Sequence, residues 1–284
     1  MKTVIVKPKI WNFEMDKEAW KEVVYSGRVS GIPSQVADDF IFKMIVNNDY
    51  GSTLEHIIIK FDLKMSKGNA PELLEHRMMS HTGYSTRYIK ASEGIDKRES
   101  SYEIILPWHL LKLDKEHPAR QEFKKAVQQG IESYEKLLEI KIPRESARYT
   151  LPFCQAVGIY HITINLRSLL NLLSLRLCVR TSPEFRCLAA QLYFSLLKSF
   201  PAIDGYLGCR GMTKGLCPEN GVTGVRTGEQ SRIYPPCLFK NKQSDVYIPT
   251  AEELRQGINY SKISKEKIIK AQEAYFSQWA KWEG

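Results

Sequence analysis

Apolar residues occupy every second position in one short stretch of the chain. Ile57, Ile59, Phe61 and Leu63 alternate after a polar segment, a spacing that places them on one face of a strand. The pattern therefore predicts a half-buried strand from residue 57. Shorter apolar runs predict two further strands, over residues 3–7 and 101–107.

Elsewhere apolar residues recur every three to four positions, which is the spacing of one helix face. In 34–48, Ser34 is a candidate N-cap, and Val36, Phe40, Met44 and Ile45 share a side. The same reasoning predicts further helices over 15–27, over 70–81 with Pro71 near its start and Gly83 after its end, over 118–140, and over 264–282.

The second half of the chain is less regular. Residues 155–198 predict a mainly helical block, which is buried because 159–179 is apolar almost all round. Residues 148–152 before it are expected to be extended, and 200–249 carries no clear periodicity. Thr250 and Glu253 then form a capping-box pattern. Together these elements predict the α+β class, a sheet flanked by long helices, with a C-terminal helical extension.

Composition narrows the class of protein. The chain of 284 residues has no apolar run long enough to span a membrane, and its charged first residues do not resemble a signal peptide, so the cytoplasm is expected. Its six cysteines include no C-x-x-C pair, which argues against a disulfide framework. Cys209, Cys217 and Cys237 fall in one loop-rich stretch and leave a metal site open, but their spacing matches no common zinc pattern, so no metal is predicted.

A formal net charge of +9 favours an anionic partner. Nucleic acid and small phosphorylated or carboxylated molecules both satisfy that requirement. The sequence contains no recognised nucleic-acid-binding module and no long run of lysine and arginine. We therefore expect a small anionic ligand, and keep nucleic-acid binding as the rival hypothesis.

The stretch 75–90, EHRMMSHTGYSTRYIK, concentrates cations and hydrogen-bonding side chains. Arginine forks suit phosphates and paired carbonyls. A solvated basic helix end would explain this stretch equally well on its own. The second cluster, in 162–176, is harder to explain that way.

That second cluster places Asn165, Arg167, Asn171 and Arg176 in an otherwise apolar stretch. Arginines in such a stretch need partners, because an unpaired buried charge is costly. No Asp or Glu occurs between Glu145 and Glu184. An external anion or a polar ring system is therefore the expected partner, with these side chains along one rim of a pocket. Structural salt bridging of these arginines is the alternative.

Four motifs together resemble the flavin-dependent thymidylate synthases, the ThyX family. The family signature is Arg-His-Arg, seven residues, then Ser-x-Arg-Tyr, and residues 75–88 fit it except at the first position. The other motifs are a Glu-His pair before a strand, an arginine before x-x-Leu-Pro, and Asn-x-Arg-Ser-Leu-x-x-Asn-x-x-x-x-Arg. They are matched by Glu55-His56, by 148–152 and by 165–176. The resemblance covers about residues 1–220 and leaves 221–284 as an addition packed on that domain.

The resemblance implies a homotetramer with shared active sites, which uses FAD, NADPH and methylenetetrahydrofolate to convert dUMP to dTMP. No nucleic acid or membrane partner is expected. The resemblance assigns FAD binding to eight positions, namely Ser30, Ser52, Glu55, His76, Arg77, Asn165, Arg167 and Asn171. It assigns the pyrimidine nucleotide to Ser85, Arg87, Arg148 and Arg176, with Arg176 polarising the uracil ring and Ser85 as a binding residue of the catalytic site.

The chain departs from the family pattern at several positions around this pocket. Glu75 replaces the first arginine of the signature, Glu72 stands where glutamine is frequent, Gly83 where Glu or Gln is common, and Tyr50 where histidine is common. A carboxylate accepts hydrogen bonds that an arginine cannot, so Glu72 and Glu75 are assigned to the substrate. The departures leave open UMP, dCMP or CMP as substrate, a hydroxymethyl product, and a non-catalytic family member.

Overall fold

The structure is a computed structural model that describes residues 2–48, 50–93, 101–218, 237–257 and 265–283. Its strands are β1 (Thr3–Val6), β2 (Lys9–Met15), β3 (Ile58–Ser66), β4 (Met79–Gly83), β5 (Tyr102–Ile105) and β6 (Ala156–Asn165). Its α-helices are α1 (Ala19–Val29), α2 (Asp38–Asn47), α3 (Ala70–Leu74), α4 (Trp108–Leu111), α5 (Pro118–Glu139), α6 (Arg144–Ala147), α7 (Leu166–Arg176), α8 (Pro183–Ser199), α9 (Arg210–Lys214), α10 (Ala251–Arg255) and α11 (Lys265–Ala280).

An antiparallel sheet in the order β2-β3-β6-β4 forms the centre of the fold. Phe61 of β3 lies opposite Ile162 of β6, and both side chains are fully buried. A separate parallel pair joins β1 to β5. The alternation predicted from residue 57 is confirmed, since Ile57, Ile59, Phe61 and Leu63 are all buried.

Helix α8 runs through the main core and is buried on nearly every side from Glu184 to Ala190. It packs against β2, β3, α7 and α11. Even Arg186 is completely buried: its Nη1 donates to the Val179 carbonyl at 3.0 Å, and its guanidinium lies 3.6 Å from the centre of the Trp279 ring. A cation over an indole face is attracted by the ring's negative face, so this contact ties α11 to α8.

A smaller apolar cluster lies between β5 and α5. Tyr102, Val127, Ile131 and Tyr134 are buried there, with the two tyrosine rings in an edge-to-face arrangement at 6.3 Å. The predicted strand at 101–107 and the helix at 118–140 are both confirmed, to within three residues at each end.

Residues toward the C-terminus pack on the core. The capping box at the start of α10 is confirmed, because Thr250 Oγ1 accepts from Glu253 N and the Glu253 carboxylate accepts from Thr250 N. Helix α11 agrees with the prediction for 264–282 over its described residues. The division at residue 220 stays a proposal.

An apolar cavity separates α7 from these C-terminal residues. It is lined by four thiols, those of Cys178, Cys209, Cys217 and Cys237. Burial raises the pKa of Cys209 to about 12 and that of Cys237 to about 11, which keeps both thiols neutral at ordinary pH. No group of three His, Cys, Asp or Glu side chains in the described part of the chain is arranged to hold a metal ion.

Among the helices that the structure describes, none combines the length and apolarity needed to cross a bilayer.

Two predicted helical regions are wrong. Helix α3 ends at Leu74, Met78 adopts a left-handed φ of 58°, and 79–83 then forms β4 along the edge of β6, so Gly83 ends a strand. The start of the predicted block 155–198 is strand β6, which is hydrogen-bonded on both edges. In both cases pairing between distant segments overrides the local pattern. The helical prediction for the rest of that block, α7 and α8, is confirmed.

Smaller corrections concern the first 60 residues and the segment at 148. Helix α1 begins four residues later than predicted, and β2 was not predicted at all. Helix α2 begins at Asp38, after a turn in which Val36 N donates to the Pro33 carbonyl, so Ser34 is not its cap. The face of α2 that packs on the core carries Ile41, Phe42 and Ile45, and Phe40 is exposed. Residues 148–150 form a 3-10 turn and not an extended segment.

Candidate functional site

Three side chains that are far apart in the sequence meet where α3 approaches the end of α7. Arg176, the last residue of α7, donates from Nε to Nε2 of His76 at 2.7 Å. Its Nη1 pairs with the Glu72 carboxylate, and its Nη2 donates to the Glu72 carbonyl at 3.2 Å. The guanidinium is mostly buried, with 18% of the side chain exposed. It is therefore held in one orientation by three contacts.

The second carboxylate oxygen of Glu72 accepts from the Ser182 hydroxyl at 2.7 Å. Ser182 is also the N-cap of α8, where its Oγ accepts from Phe185 N. Glu72 thus joins the start of α8 to the end of α7. These contacts make Glu72 a support for Arg176, and a direct contact between Glu72 and a substrate stays a prediction.

His76 is neutral at ordinary pH. Burial, and then the positive charge of Arg176, lower its pKa to about 4. Its ring also meets Phe185 edge-on, with the ring centres 5.9 Å apart, and Phe185 lies under the Arg176 guanidinium at 5.1 Å. The resulting site presents one fixed cation next to one uncharged imidazole.

A buried carboxylate holds the turn that leads into α3. Glu184 of α8 accepts from Ser66 N at 2.5 Å, from Ser66 Oγ at 2.7 Å and from Asn69 Nδ2 at 2.8 Å. Burial raises the pKa of Glu184, which those hydrogen bonds partly offset. Glu184 and Ser182 both lie at the start of α8. This start therefore holds residues 66–69 through Glu184 and Glu72 through Ser182.

A second group of predicted residues lies at the other end of α7. Arg167 Nη1 donates to Glu55 Oε1 at 2.5 Å, and Asn165 is the N-cap of α7, accepting from Ser168 N at 2.8 Å. Gly51 lies directly under the Arg167 side chain, because a Cβ built on Gly51 would be 2.4 Å from Arg167 Nε. Ser52 and Asn171 are exposed nearby, on the 3-10 turn and on α7.

The expectation that Arg167, Asn171 and Arg176 line one rim is wrong within a single chain. Nine residues, about two and a half helical turns, separate Arg167 from Arg176, so they leave α7 on opposite sides. Arg167 pairs with Glu55 of the 3-10 turn, whereas Arg176 pairs with Glu72 of α3. The expectation of an external partner for these arginines also needs correction, since each has a carboxylate partner more than 100 residues away.

The remaining predicted nucleotide residues lie near the 3-10 turn at 148. Arg87 pairs with Glu145 at 3.2 Å, and both side chains are about half exposed. Among the described residues Arg77 and Arg148 have no carboxylate partner. Burial, and then Arg148, lower the pKa of the Lys67 ammonium, so Lys67 and Arg148 bring two positive charges close together. Such a pair of cations suits an anion.

The other predicted residues stand apart from these groups. Glu75 is the C-cap of α3, and its exposed side chain meets no partner in the part of the chain that the structure describes. Ser85 is half-buried, and its carbonyl accepts from Tyr88 N and Ile89 N. Ser30 ends α1, and its hydroxyl donates to the Ser26 carbonyl at 3.0 Å. Arg87 pairs with Glu145 and not with Glu75, so ion pairing within the chain does not account for the carboxylate at position 75.

The available groups fit a ligand with phosphates and a polar ring. Arg77 and Arg148 are cations without a carboxylate partner, and His76 is an uncharged imidazole beside a fixed guanidinium. Such a set can bind phosphate oxygens and ring carbonyls. Burial raises the pKa of the Cys154 thiol to about 11, so that thiol is neutral at ordinary pH.

Comparison with known proteins agrees with this geometry. Residues 13–202 match the profile of the family described as "Thymidylate synthase complementing protein". The chain belongs to this family. The ThyX resemblance seen in its motifs is thereby confirmed, and the match includes His76, Arg167 and Arg176.

Curated relatives carry the name flavin-dependent thymidylate synthase. The enzyme of Sulfurisphaera tokodaii is 35% identical over 160 residues, which are 56% of this chain and 58% of the relative. That of Geobacter sulfurreducens is 29% identical over 193 residues, 67% of this chain and 78% of the relative. The chain thus spans little more than half of the first relative's length.

A solved structure shares the fold. The crystal structure of a UMP/dUMP methylase from Streptomyces cacaoi, bound with 5-Br dUMP, superposes with a TM-score of 0.55. It is 20% identical and covers 70% of this chain and 94% of its own. The predicted α+β class is confirmed.

Ser182, Phe185, Glu184 and Gly51 are site residues that the sequence did not reveal. The Ser-Pro-Glu order at 182–184 is a helix-start signal, and it could have located the N-cap. Nothing in the sequence relates Ser182 to Glu72, because 110 residues separate them.

Proposed function

We propose that the chain is a flavin-dependent enzyme that methylates C5 of a pyrimidine nucleotide, converting dUMP to dTMP with methylenetetrahydrofolate and NADPH. The observation that carries this proposal is the fixed Arg176 guanidinium beside neutral His76, in a chain of this family. A preorganised cation costs no reorientation when negative charge develops on a substrate ring.

The FAD site is proposed to consist of His76 and Arg77 on one side and the Arg167 group on the other. FAD, when bound, supplies the hydride-transfer chemistry. Arg77 has no carboxylate to displace before it meets a phosphate. Glu55 holds Arg167, and the bare backbone of Gly51 gives the Arg167 side chain room. The remaining members of the set are Ser30, Ser52, Asn165 and Asn171.

Nucleotide binding is proposed for Arg87, Arg148, Arg176 and Ser85. Arg148 has no carboxylate partner among the described residues and lies close enough to Lys67 to lower its pKa, so the two cations suit the nucleotide phosphate. Arg176 would face the pyrimidine carbonyls, where its fixed N–H groups stabilise charge on the ring. Ser85 would donate a hydrogen bond and take no part as a nucleophile.

A homotetramer with shared sites explains why the two groups lie on opposite sides of α7. Within one chain, His76 and Arg167 lie on opposite sides of α7 and do not face the same ligand. A second copy of the chain would place its Arg167 group opposite the His76 of the first. Exposed apolar side chains that are close in sequence to Arg77, Arg87 and Arg148 support such an association, because exposed apolar surface commonly marks an interface. They are Met78, Tyr88, Tyr149 and Phe153.

A second candidate is the same transfer to UMP, dCMP or CMP. It is favoured by Glu75, whose exposed carboxylate has no partner in the described structure and could accept from an amine or a sugar hydroxyl. A product that stops at hydroxymethyl belongs to the same candidate.

One assay tests the proposal. Purified enzyme with FAD and NADPH is incubated with methylenetetrahydrofolate and each of dUMP, UMP, dCMP and CMP, and the products are weighed by mass spectrometry. Methylated dUMP supports the first candidate, and a modified ribonucleotide or cytosine nucleotide supports the second. No mass change with any of the four contradicts both.

Arg167→Ala is expected to weaken FAD binding by about tenfold or more, since a charge-assisted hydrogen bond typically contributes about 1.5–3 kcal/mol. Folding should be little changed, because the Arg167–Glu55 pair is half exposed. Flavin absorbance after gel filtration gives the affinity, and thermal unfolding gives the stability. Lys43→Ala, which removes an exposed cation paired with Asp39 on α2, is the matched control. Equal FAD retention by wild type and Arg167→Ala would place the flavin elsewhere.

Glu75→Gln and Glu75→Arg are expected to change the ratio of rates across the four nucleotides. The reason is that an unpartnered carboxylate beside the site accepts hydrogen bonds, whereas glutamine also donates and arginine only donates. The measurement is initial rate with each nucleotide for the three proteins. If the ratios stay the same while FAD affinity rises in Glu75→Arg, Glu75 acts on the cofactor and does not select the substrate.

A further inference from the structure

The bond between Arg176 and His76 determines where the imidazole carries its proton. Arg176 Nε donates to His76 Nε2 at 2.7 Å, and a guanidinium has no acceptor atom. Nε2 must therefore present its lone pair. The single proton of the neutral ring then lies on Nδ1.

Nδ1 of His76 has no protein partner within the described residues. The charged groups around the ring are Arg176, from α7, and Glu72, from α3, while Phe185 of α8 covers one side with an aromatic edge. The ring is half-buried, but Nδ1 itself keeps accessible surface, since it does not belong to the buried side-chain atoms that lack a partner. A bound ligand can therefore reach this N–H and accept from it.

The Arg176 orientation that produces this state depends on Glu72. Both Glu72 oxygens are used, one by Arg176 and one by the Ser182 hydroxyl at 2.7 Å. Ser182 is fixed in turn as the N-cap of α8. The chain of contacts therefore runs from a helix start, through a carboxylate and a guanidinium, to an imidazole.

We propose that Glu72 is a positioning residue: through Arg176 it fixes His76 as a neutral imidazole whose Nδ1–H donates to an acceptor oxygen or nitrogen of the bound flavin. This inference rests on the proposed function for the identity of the ligand. It assigns Glu72 a role toward the cofactor, whereas its place in the sequence suggested the substrate. It also assigns His76 one specific donor atom.

The protonation state agrees with this assignment. Burial and Arg176 lower the pKa of His76 to about 4, below the value of about 6.5 for a free side chain. A histidine whose pKa is depressed on folding stays in its neutral form until the pH falls through the folded pKa. Flavin affinity that depends on neutral His76 should therefore persist below pH 6 and fall as the pH approaches 4.

Two substitutions at His76 separate its two nitrogens. Asparagine places an N–H at the distance of Nδ1 from the backbone, and glutamine places its amide at the distance of Nε2. His76→Asn is expected to keep FAD affinity within about threefold of wild type, while His76→Gln and His76→Ala lose about tenfold. A loss in His76→Asn as large as that in His76→Ala would overturn the assignment of the donor.

A double-mutant cycle tests the role of Glu72. Glu72→Ala is expected to weaken FAD about tenfold when His76 is present, and less than about twofold when residue 76 is already alanine, because residues that act through one another are not additive. Glu72→Gln, which keeps an acceptor for Arg176, should restore most of the affinity. Equal losses in both backgrounds would show that Glu72 acts only on general structure.

Glu145→Ala is the matched control, because it removes the carboxylate of another arginine pair that does not touch His76. It should leave FAD affinity unchanged, and a loss like that of Glu72→Ala would overturn the proposal. FAD binding is measured without nucleotide, with thermal unfolding of each variant recorded alongside. If wild type takes up no FAD, the proposed function itself fails; if wild type binds and the cycle is additive, only the role of Glu72 fails.

Discussion

Arg176→Ala is expected to weaken binding of the pyrimidine nucleotide by about a hundredfold. Charge-assisted hydrogen bonds contribute about 1.5–3 kcal/mol each, and this guanidinium is fixed before the ligand arrives. Its removal also leaves the Glu72 carboxylate without a counter-charge near buried Glu184, which adds unfavourable negative charge at the site. Calorimetric titration of the FAD-loaded protein with dUMP measures the loss.

Two further variants test whether the loss of nucleotide affinity is specific to the Arg176 guanidinium. Arg176→Lys keeps the charge but loses the planar fork, so it should recover only part of the affinity. Arg87→Ala should cost about tenfold or less, because Arg87 is half exposed and already shared with Glu145. Unchanged isotherms for Arg176→Ala, Arg87→Ala and Arg148→Ala alike would mean that the nucleotide binds elsewhere.

Phe276→Ala is expected to lower the free energy of unfolding by about 3–5 kcal/mol, the usual cost of deleting a buried aromatic ring. The side chain is 1% exposed and meets Tyr193 of α8 edge-on, with the ring centres 5.3 Å apart. Ser182 and Glu184 lie at the start of α8. Weaker packing of α11 on α8 should therefore also make the positions of these two side chains less fixed. Urea unfolding followed by circular dichroism gives the free energy.

Leu254→Ala in α10 is the control, because Leu254 is 46% exposed and surface changes usually cost less than about 0.5 kcal/mol. A Phe276→Ala protein as stable as the Leu254→Ala protein would show that α11 contributes little to the core. In that case the segment beyond residue 220 would be a loosely attached addition.

Elements with strong local signals could be predicted from the sequence. The alternation from Ile57 and the long amphipathic pattern of 118–140 reflect one buried face each, and the Thr250–Glu253 box needs only neighbouring atoms. The sequence pattern could not distinguish strand β6 from a helix. A strand that is paired on both edges and buried has a nearly continuous apolar sequence, as a buried helix does. Strand β4 pairs along the edge of β6 that β3 does not occupy, and this partner lies far away in the sequence.

The candidate site shows the same limit. Spacing in the sequence selected His76, Arg167 and Arg176, and the absence of nearby acids was a sound observation. The absence of nearby acids did not predict the true partners of the arginines. Glu55 and Glu72, which pair with Arg167 and Arg176, are more than 100 residues away in the sequence. The nine-residue spacing puts Arg167 and Arg176 on opposite sides of α7. Which neighbours each side meets depends on how α7 packs, and packing is a property of the whole chain.

Gly51 joins folding and cofactor binding in an unusual way. Any side chain there would displace Arg167, whose flexible end can swing into solvent at little cost to stability. We therefore expect a substitution at position 51 to leave the protein folded and to impair the proposed flavin binding. Variants at position 51 would then provide a folded, flavin-deficient form of the protein for genetic work.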